Sequence, residues 1–372
     1  MGDAFKIVFA GGGTGGHLYP ALALAREIEN RYADNEILFF GTERGIESRI
    51  IPELGYNIEF INIRGIQRSL TLKNLKVPFL IIRSLITCRR VLRRFKPAVV
   101  IGTGGYVSWP VLFTASLLGY PTVIQEQNSY PGISTRFLSR FVDHVHLSFE
   151  ESFAYIKKGK HVFMSGNPIR SSLTSVNRET AAANLGLSIQ SKTLLIFGGS
   201  QGAHSINMAV INIIHELMRL SDWQIMWGTG EKDFTQVSTK CEQYGHRIIV
   251  KPYLQDMASV YALSDLVISR AGATTLAELQ SCKLAALLIP YPYAAAGHQE
   301  ANARALVSKN AVEMVLDENL NDATFLNKLI NLMNDDDHRR MLGINLGKLA
   351  QPDAAVNIIN KTIELIENVK NN

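Results

Sequence analysis

The sequence predicts an α/β protein made of two doubly wound parallel-sheet domains, one in each half, facing a cleft. Three observations carry this prediction. Short apolar runs alternate with helix-length stretches along the chain. The alternation restarts after a polar interval at 171–192. Each half opens alike, since Phe9 and Phe197 both end an apolar run and lead into a glycine-rich loop. A length of 372 residues fits two domains of ordinary size.

In the first half, residues 6–10, 37–41, 56–61, 98–102 and 122–125 read as strands. Residues 19–31 and 79–95 read as helices, and another helix begins near Gly45. Residues 161–165 make a last strand before Gly166, where the domain boundary is placed: 1–165 and 166–352. In the second half, residues 193–197, 224–227, 247–250, 266–269 and 286–290 are strand candidates. Residues 353–372 carry Val356, Ile359, Ile363 and Ile366 at helical spacing, as a helix packing back on the folded chain would.

Composition bounds the class. Apolar residues make up 47% of the chain and charged residues 19%, enough for substantial cores. No run approaches the ~18 apolar residues of a membrane span, and no signal-peptide pattern precedes the first strand. Cys88, Cys241 and Cys282 are scattered and odd in number, which reads as a reducing cytoplasm without disulfides. No metal-ligand spacing stands out, and Asp335, Asp336 and Asp337 read as a solvated face, so neither metal nor cofactor is expected.

The net charge of +5 is unevenly placed. Residues 60–125 contain no Asp or Glu, while 64–96 hold ten basic residues: Arg64, Arg68, Lys73, Lys76, Arg83, Arg89, Arg90, Arg93, Arg94 and Lys96. The rest of the chain has 28 basic and 33 acidic residues. Such a local positive field points to an anionic partner surface. No aromatic interleaving or nucleic-acid motif accompanies it, so no nucleic acid is expected.

The first glycine-rich loop contains Gly11, Gly12, Gly13, Thr14, Gly15 and Gly16 and ends at His17, between a strand and a helix. Backbone amides and a helix N-terminus in this setting favour a phosphate. Gly11, Gly13 and Gly16 formally match the dinucleotide fingerprint, but the acidic residue expected at the end of the second strand is missing; Glu43 comes late. Gly198, Gly199, Ser200, Gln201 and Gly202 form a second loop offering amides and a hydroxyl to a diphosphate. Gly102, Thr103, Gly104 and Gly105 form a third. Three such loops favour a ligand with phosphates on both sides of a cleft.

Individual side chains keep two readings each. His17 is either a satisfied histidine at a helix start or a general base whose neutral form the helix dipole favours. Glu278 either closes a capping box with Thr275 or accepts hydrogen bonds from ribose hydroxyls. Gln125, Glu126, Gln127 and Asn128, and likewise His298, Gln299, Glu300 and Asn302, suit sugar hydroxyls; a plain polar loop is the alternative for each.

Taken in order, these residues resemble a known family. Residues 12–17, 104–108, 126–128, 166–170, 198–203 and 270–274, with Gln299, match the bacterial undecaprenyl-diphospho-muramoyl-pentapeptide N-acetylglucosaminyltransferases, which convert lipid I to lipid II. The resemblance covers essentially the whole chain. It implies two Rossmann-like domains in the GT-B glycosyltransferase architecture. It implies UDP-N-acetylglucosamine as donor, lipid I as acceptor, and inverting transfer to the C4 hydroxyl of the muramoyl sugar. By the family pattern Thr14, Gly15, Gly16, Asn128, Arg170, Ser200, Leu254, Ala273, Thr274, Thr275, Leu276, Ala277, Glu278 and Gln299 line the donor site. Glu278 would hold the ribose, Ser200 the diphosphate, Asn128 and Gln299 the sugar, with Arg170 and Leu254 near the uracil. His17 and Glu278 are the implied catalytic residues, His17 as base. Gly13, Gly104, Gly105 and Tyr106 fall on acceptor-side loops of domain 1–165, and UDP-sugar binding falls to 166–352. Two departures stand out: the extra Gly11, and an alanine-rich 291–297 where relatives often place polar residues.

A lipid-anchored acceptor gives the basic segment a task. Leu75, Phe79, Arg83, Arg89 and Arg90 would form a patch meeting the anionic cytoplasmic face of the inner membrane, with the enzyme peripheral. An ordinary core helix with a solvated basic face is the alternative. The rival functions are a GT-B UDP-sugar transferase with another acceptor, a nicotinamide-dependent oxidoreductase, and a non-catalytic nucleotide-sugar-binding membrane subunit.

Overall fold

The structure, a computed structural model, describes residues 5–63, 77–156, 160–199, 201–219, 223–321 and 323–371. It divides into two compact units, Met1–Ile169 with Pro352–Asn372, and Arg170–Gln351.

The first unit runs β1 (Phe5–Gly11), α1 (Gly15–Arg31), β2 (Asn35–Gly41), α2 (Glu47–Glu53), β3 (Asn57–Phe60), α3 (Val77–Phe95), β4 (Val99–Gly104), α4 (Gly105–Leu117), β5 (Thr122–Glu126), α5 (Ile133–Leu138), β6 (His144–Leu147) and β7 (His161–Met164). Its seven strands lie in the order β3-β2-β1-β4-β5-β6-β7, and all pairs are parallel. Period-2 alternation sends Ile7 and Phe9 to one face and Val8 and Ala10 to the other. Both faces are covered. Ile7, Phe9, Phe39 and Ile101 share one core cluster, and Val8, Phe40, Val100 and Val111 another. Burial on both faces explains why these strands read as unbroken apolar runs.

The second unit runs α6 (Arg178–Leu185), β8 (Thr193–Phe197), α7 (His204–Arg219), β9 (Gln224–Gly228), α8 (Glu231–Cys241), β10 (Ile248–Lys251), α9 (Met257–Leu263), β11 (Leu266–Ser269), α10 (Ala273–Cys282), β12 (Ala286–Leu288), α11 (His298–Val307), β13 (Glu313–Met314), α12 (Ala323–Asn334) and α13 (Asp336–Lys348). Its parallel sheet has the order β10-β9-β8-β11-β12-β13. Leu194, Ile196, Trp227 and Ile268 centre its core.

The last helix, α14 (Ala354–Asn371), belongs to the first unit. Its buried stripe is Ile358, Ile359, Thr362, Leu365 and Ile366, rotated from the expected one; Val356 and Ile363 are only partly buried. Ile358, Ile359, Leu365 and Ile366 join Ile7 and Phe9 in one cluster, while Arg31 of α1 donates to Asn360 Oδ1 at 2.5 Å.

Strand order reverses once in each sheet, between β1 and β4 and between β8 and β11. At such a switch point the loops leaving adjacent strands diverge, and their carboxyl ends open a crevice. The loop after β1 contains Gly13 and Thr14, and the loop after β8 contains Gly198 and Gly199.

Candidate active site

In the first unit, Thr14 is the N-cap of α1, with extended φ −142° and ψ 160°. Gly15, Gly16 and His17 form the first helical turn, whose leading amides have no intrahelical partner. The helix thus begins before Tyr19, where the sequence had placed its start. The His17 ring, half-buried, lies against the end of β4. Its Nδ1 is 3.1 Å from Thr103 O and 3.1 Å from Gln127 Oε1. Gln127 is oriented by its own amide group, which donates to Thr103 O at 2.6 Å and to Gln125 O at 3.2 Å. Turning that amide over would set its oxygen against acceptors, so Oε1 faces the imidazole. Both groups facing Nδ1 are acceptors, so Nδ1 carries the hydrogen. Nε2 is left with the lone pair. Gly104, at φ +98°, makes room: a Cβ there would fall 2.6 Å from His17 Nδ1. Gly105 and Tyr106 start α4, and the Tyr106 ring packs over Gly13.

The polar strand end at β5 is put to another use than the sequence suggested. Gln125, Glu126 and Gln127 are buried. Glu126 accepts from Asn128 N and Asn128 Nδ2, both at 3.1 Å, and from Gly132 N at 3.1 Å. These three side chains are scaffold: Glu126 holds the partly exposed Asn128, Gln127 faces His17, and Gln125 donates to Ser148 Oγ at 3.0 Å.

In the second unit, Glu278 lies on α10, whose N-cap is Gly272. Thr275 is therefore inside the helix, and the Thr275–Glu278 capping box does not form. Glu278 instead accepts the hydroxyl of the fully buried Tyr261 at 2.8 Å. Burial raises its pKa above the ordinary carboxyl value, against the Tyr261 hydrogen bond and the positive charge of Arg170, which lower it. Among the described residues, the buried hydroxyl of Thr274 has no partner. Ala273, Leu276 and Leu254 are buried, Thr275 and Ala277 partly so, and Arg170 is exposed. Ser200 and Leu75 lie outside the described residues, as do Arg64, Arg68, Lys73 and Lys76.

Gln299 accepts from Tyr291 N at 2.9 Å, which ties the alanine-rich segment to α11. Arg270 holds the chain just before the same end, donating to Ile289 O at 3.1 Å, Pro290 O at 3.2 Å and Ser205 Oγ at 2.8 Å, and pairing with Asp317. Asn302 is fully buried and donates to Ala271 O at 3.3 Å, and Glu300 pairs with Arg304 along the helix, so these two serve structure.

Sequence reasoning missed Glu47. Its buried carboxylate accepts from Gly13 N at 2.8 Å, Thr42 N at 2.9 Å and Thr42 Oγ1 at 3.0 Å. The only signal was the clustering of Gly41 and Gly45 around it.

On α3, Phe79, Ile82 and Ile86 are 66%, 57% and 55% exposed, and Cys88, Val91 and Leu92 face the core. Arg83, Arg89, Arg90 and Arg93 are exposed. Among the described residues, Arg94 alone of the α3 arginines pairs with a carboxylate, that of Glu59 at 2.5 Å. No described helix is long and apolar enough to cross a membrane.

Both halves match one enzyme class. The glycosyltransferase family 28 N-terminal domain matches residues 7–147, and the family's C-terminal domain matches 193–357. With a parallel sheet in each unit, the architecture is GT-B, and the chain is a nucleotide-sugar-dependent glycosyltransferase. The UDP-N-acetylglucosamine–N-acetylmuramyl-(pentapeptide) pyrophosphoryl-undecaprenol N-acetylglucosamine transferase of Chlorobium limicola is 41% identical over 364 residues, 97% of this chain and 99% of its own. The Bacillus licheniformis protein of that name is 40% identical over 367 residues, 98% of this chain and 100% of its own. The crystal structure of Acinetobacter baumannii MurG, 26% identical, aligns with a TM-score of 0.77 over 96% of this chain and 99% of that one. The chain therefore belongs to this transferase family, whose members transfer N-acetylglucosamine to lipid I to give lipid II.

Proposed function

We propose that His17 Nε2 removes the proton from the C4 hydroxyl of the muramoyl sugar of lipid I as that oxygen attacks C1 of UDP-N-acetylglucosamine. The C1–O bond to the diphosphate breaks, UDP departs with the electron pair, and the anomeric centre inverts. The observation that carries this reading is the His17 network. Two acceptors hold Nδ1–H, so Nε2 is the basic nitrogen. A positioned base contributes roughly 10²- to 10⁴-fold.

Charge growing on UDP is met by the loop after β8 and the N-terminus of α10, where Ala273 to Ala277 form the first turns. Glu278 has one oxygen bonded to Tyr261, which leaves the other to accept from the ribose diol. Arg170 and Leu254 flank the uracil, and Asn128 and Gln299 bind the sugar. Thr14, Gly15 and Gly16 border the donor, and Gly13, Gly104, Gly105 and Tyr106 border the acceptor. The exposed apolar and basic residues of α3 support docking of the first unit on the anionic cytoplasmic face of the inner membrane.

Incubation with radiolabelled UDP-N-acetylglucosamine and a lipid I analogue tests the activity. Labelled disaccharide-lipid and free UDP are expected. Donor binding with no UDP release would leave only a binding module.

A further inference from the structure

We propose that Glu47 is the positioning residue of the first glycine-rich loop, acting on catalysis through His17; this rests on the reading of His17 as base. The side chain is 1% exposed and reaches back from the first residue of α2 to the loop between β1 and α1. Its Oε2 takes the amide of Gly13, and its Oε1 takes the amide and hydroxyl of Thr42 at the end of β2. All three partners are donors, the arrangement that suits a carboxylate.

The surrounding glycines are cut to fit this group. A Cβ on Gly12 would fall 2.5 Å from the Glu47 carboxylate, and one on Gly45 only 2.1 Å from it. The loop thus closes around an anion supplied by its own chain. Gly13 N–H, which a phosphate oxygen would otherwise take, is already committed. The leading amides of α1 at Gly15 and Gly16, which have no intrahelical partner, stay available to a ligand.

Gly13 is four residues before His17 and one before the α1 N-cap. Fixing its amide fixes where α1 begins, and with it where the imidazole stands over Thr103 and Gln127. Displacement of a reacting group by ~1 Å can cost on the order of 10²-fold in rate.

The test is a double-mutant cycle in the full chain. Glu47→Gln keeps the volume but turns an NH₂ toward one of the donors. It is expected to lower kcat about 10- to 100-fold, with the KM for UDP-N-acetylglucosamine within about twofold of the parent, because Glu47 holds Gly13 and Thr42 and none of the groups assigned to the donor. In a His17→Ala background the same change is expected to cost nothing further, because its effect runs through the imidazole. A merely structural role would add its full cost in both backgrounds, and that result overturns the proposal. So does an unchanged kcat in Glu47→Gln. A His17→Ala enzyme with near-normal turnover overturns the base reading instead, a distinguishable pattern. If Glu47→Gln does not fold, Thr42→Val replaces it in the cycle. It removes only the hydroxyl donor, and a smaller kcat loss that again vanishes without His17 is expected; a loss that persists overturns the proposal.

Discussion

The two switch-point loops occupy equivalent places in their sheets, and a buried carboxylate stands behind each. They differ in what that carboxylate takes. Behind the first loop, Glu47 takes a loop amide, that of Gly13. Behind the second, Asp233 takes side chains of α7: His204 Nδ1 at 2.9 Å and Asn207 Nδ2 at 2.8 Å. Burial opposes ionisation of Asp233, but these hydrogen bonds outweigh it and hold the carboxyl below its ordinary value. Among the described residues, no amide of 198–203 donates to a carboxylate. Topology therefore decides where a site forms, and the group behind the loop decides its task. On the proposed reading, the first loop holds the base, and the second, apart from Gly202 N bonded to Gly199 O at 3.0 Å, offers its amides to the departing diphosphate.

The largest expected effect separates the two loops most sharply. His17→Ala should lower kcat by roughly 10²- to 10⁴-fold while calorimetric affinity for UDP stays unchanged. A parallel loss of UDP affinity would mean that the loops do not divide the work. Removal of the α3 charges comes next. Each of Arg83, Arg89, Arg90 and Arg93 changed to Gln should cost about 1 kcal/mol of binding to anionic vesicles at low salt. Solution turnover of a soluble acceptor analogue should not move. Equal binding to neutral vesicles would place the attraction elsewhere.

A smaller effect tests the second unit alone. In the proposed role, Glu278 accepts from ribose as a carboxylate, so donor affinity should fall on acidification. Burial holds its pKa above the ordinary value, so the fall begins above the usual carboxyl range. Tyr261→Phe removes a hydrogen bond that lowers this pKa. Donor affinity should drop about tenfold, and the acid limb should move to higher pH. Calorimetric titration across pH reads both, and an unmoved limb would detach Tyr261 from Glu278.

The mildest effect belongs to the first unit. His146, on β6, is fully buried against Ser165 and Phe163, and burial pushes its pKa down from 6.5 to about 3, with the charges of His144 and Lys361 adding to this. The fold therefore keeps it neutral, while the unfolded chain takes up a proton. Stability from this site is full above pH 6.5 and is lost progressively as pH falls toward about 3. Thermal unfolding should shift downward between pH 7 and 5, and less steeply in His146→Gln. Parallel slopes would remove His146 as the cause.

Much of this frame was legible in the chain. Ile7 to Phe9 and Leu194 to Phe197 announce strands buried on both faces, and the glycines after them mark the crossovers. The rest depended on partners distant in sequence. Glu47 meets Gly13 across 34 residues, and no local pattern couples them. β6 is not among the strand candidates, because His144 and His146 alternate with Val145 and Leu147 and interrupt the apolar run of a buried strand. Gln125 and Gln127 looked ready for sugar because hydrogen bonding inside a core and to a ligand call for the same side chains. Thr275 and Glu278 had the spacing of a cap, but the helix starts at Ala273.

The placement of α14 has a consequence for how the molecule is made. Ile358, Ile359, Leu365 and Ile366 fill the same cluster as Ile7 and Phe9, although nearly the whole chain separates them. A ribosome that has emitted residues 1–169 has produced every strand of the first sheet, yet one flank of its core still lacks its cover. That flank waits, exposed, while the second unit is synthesised, and closes only when the final helix arrives. Chain order thus makes the unit that starts first the one that finishes last.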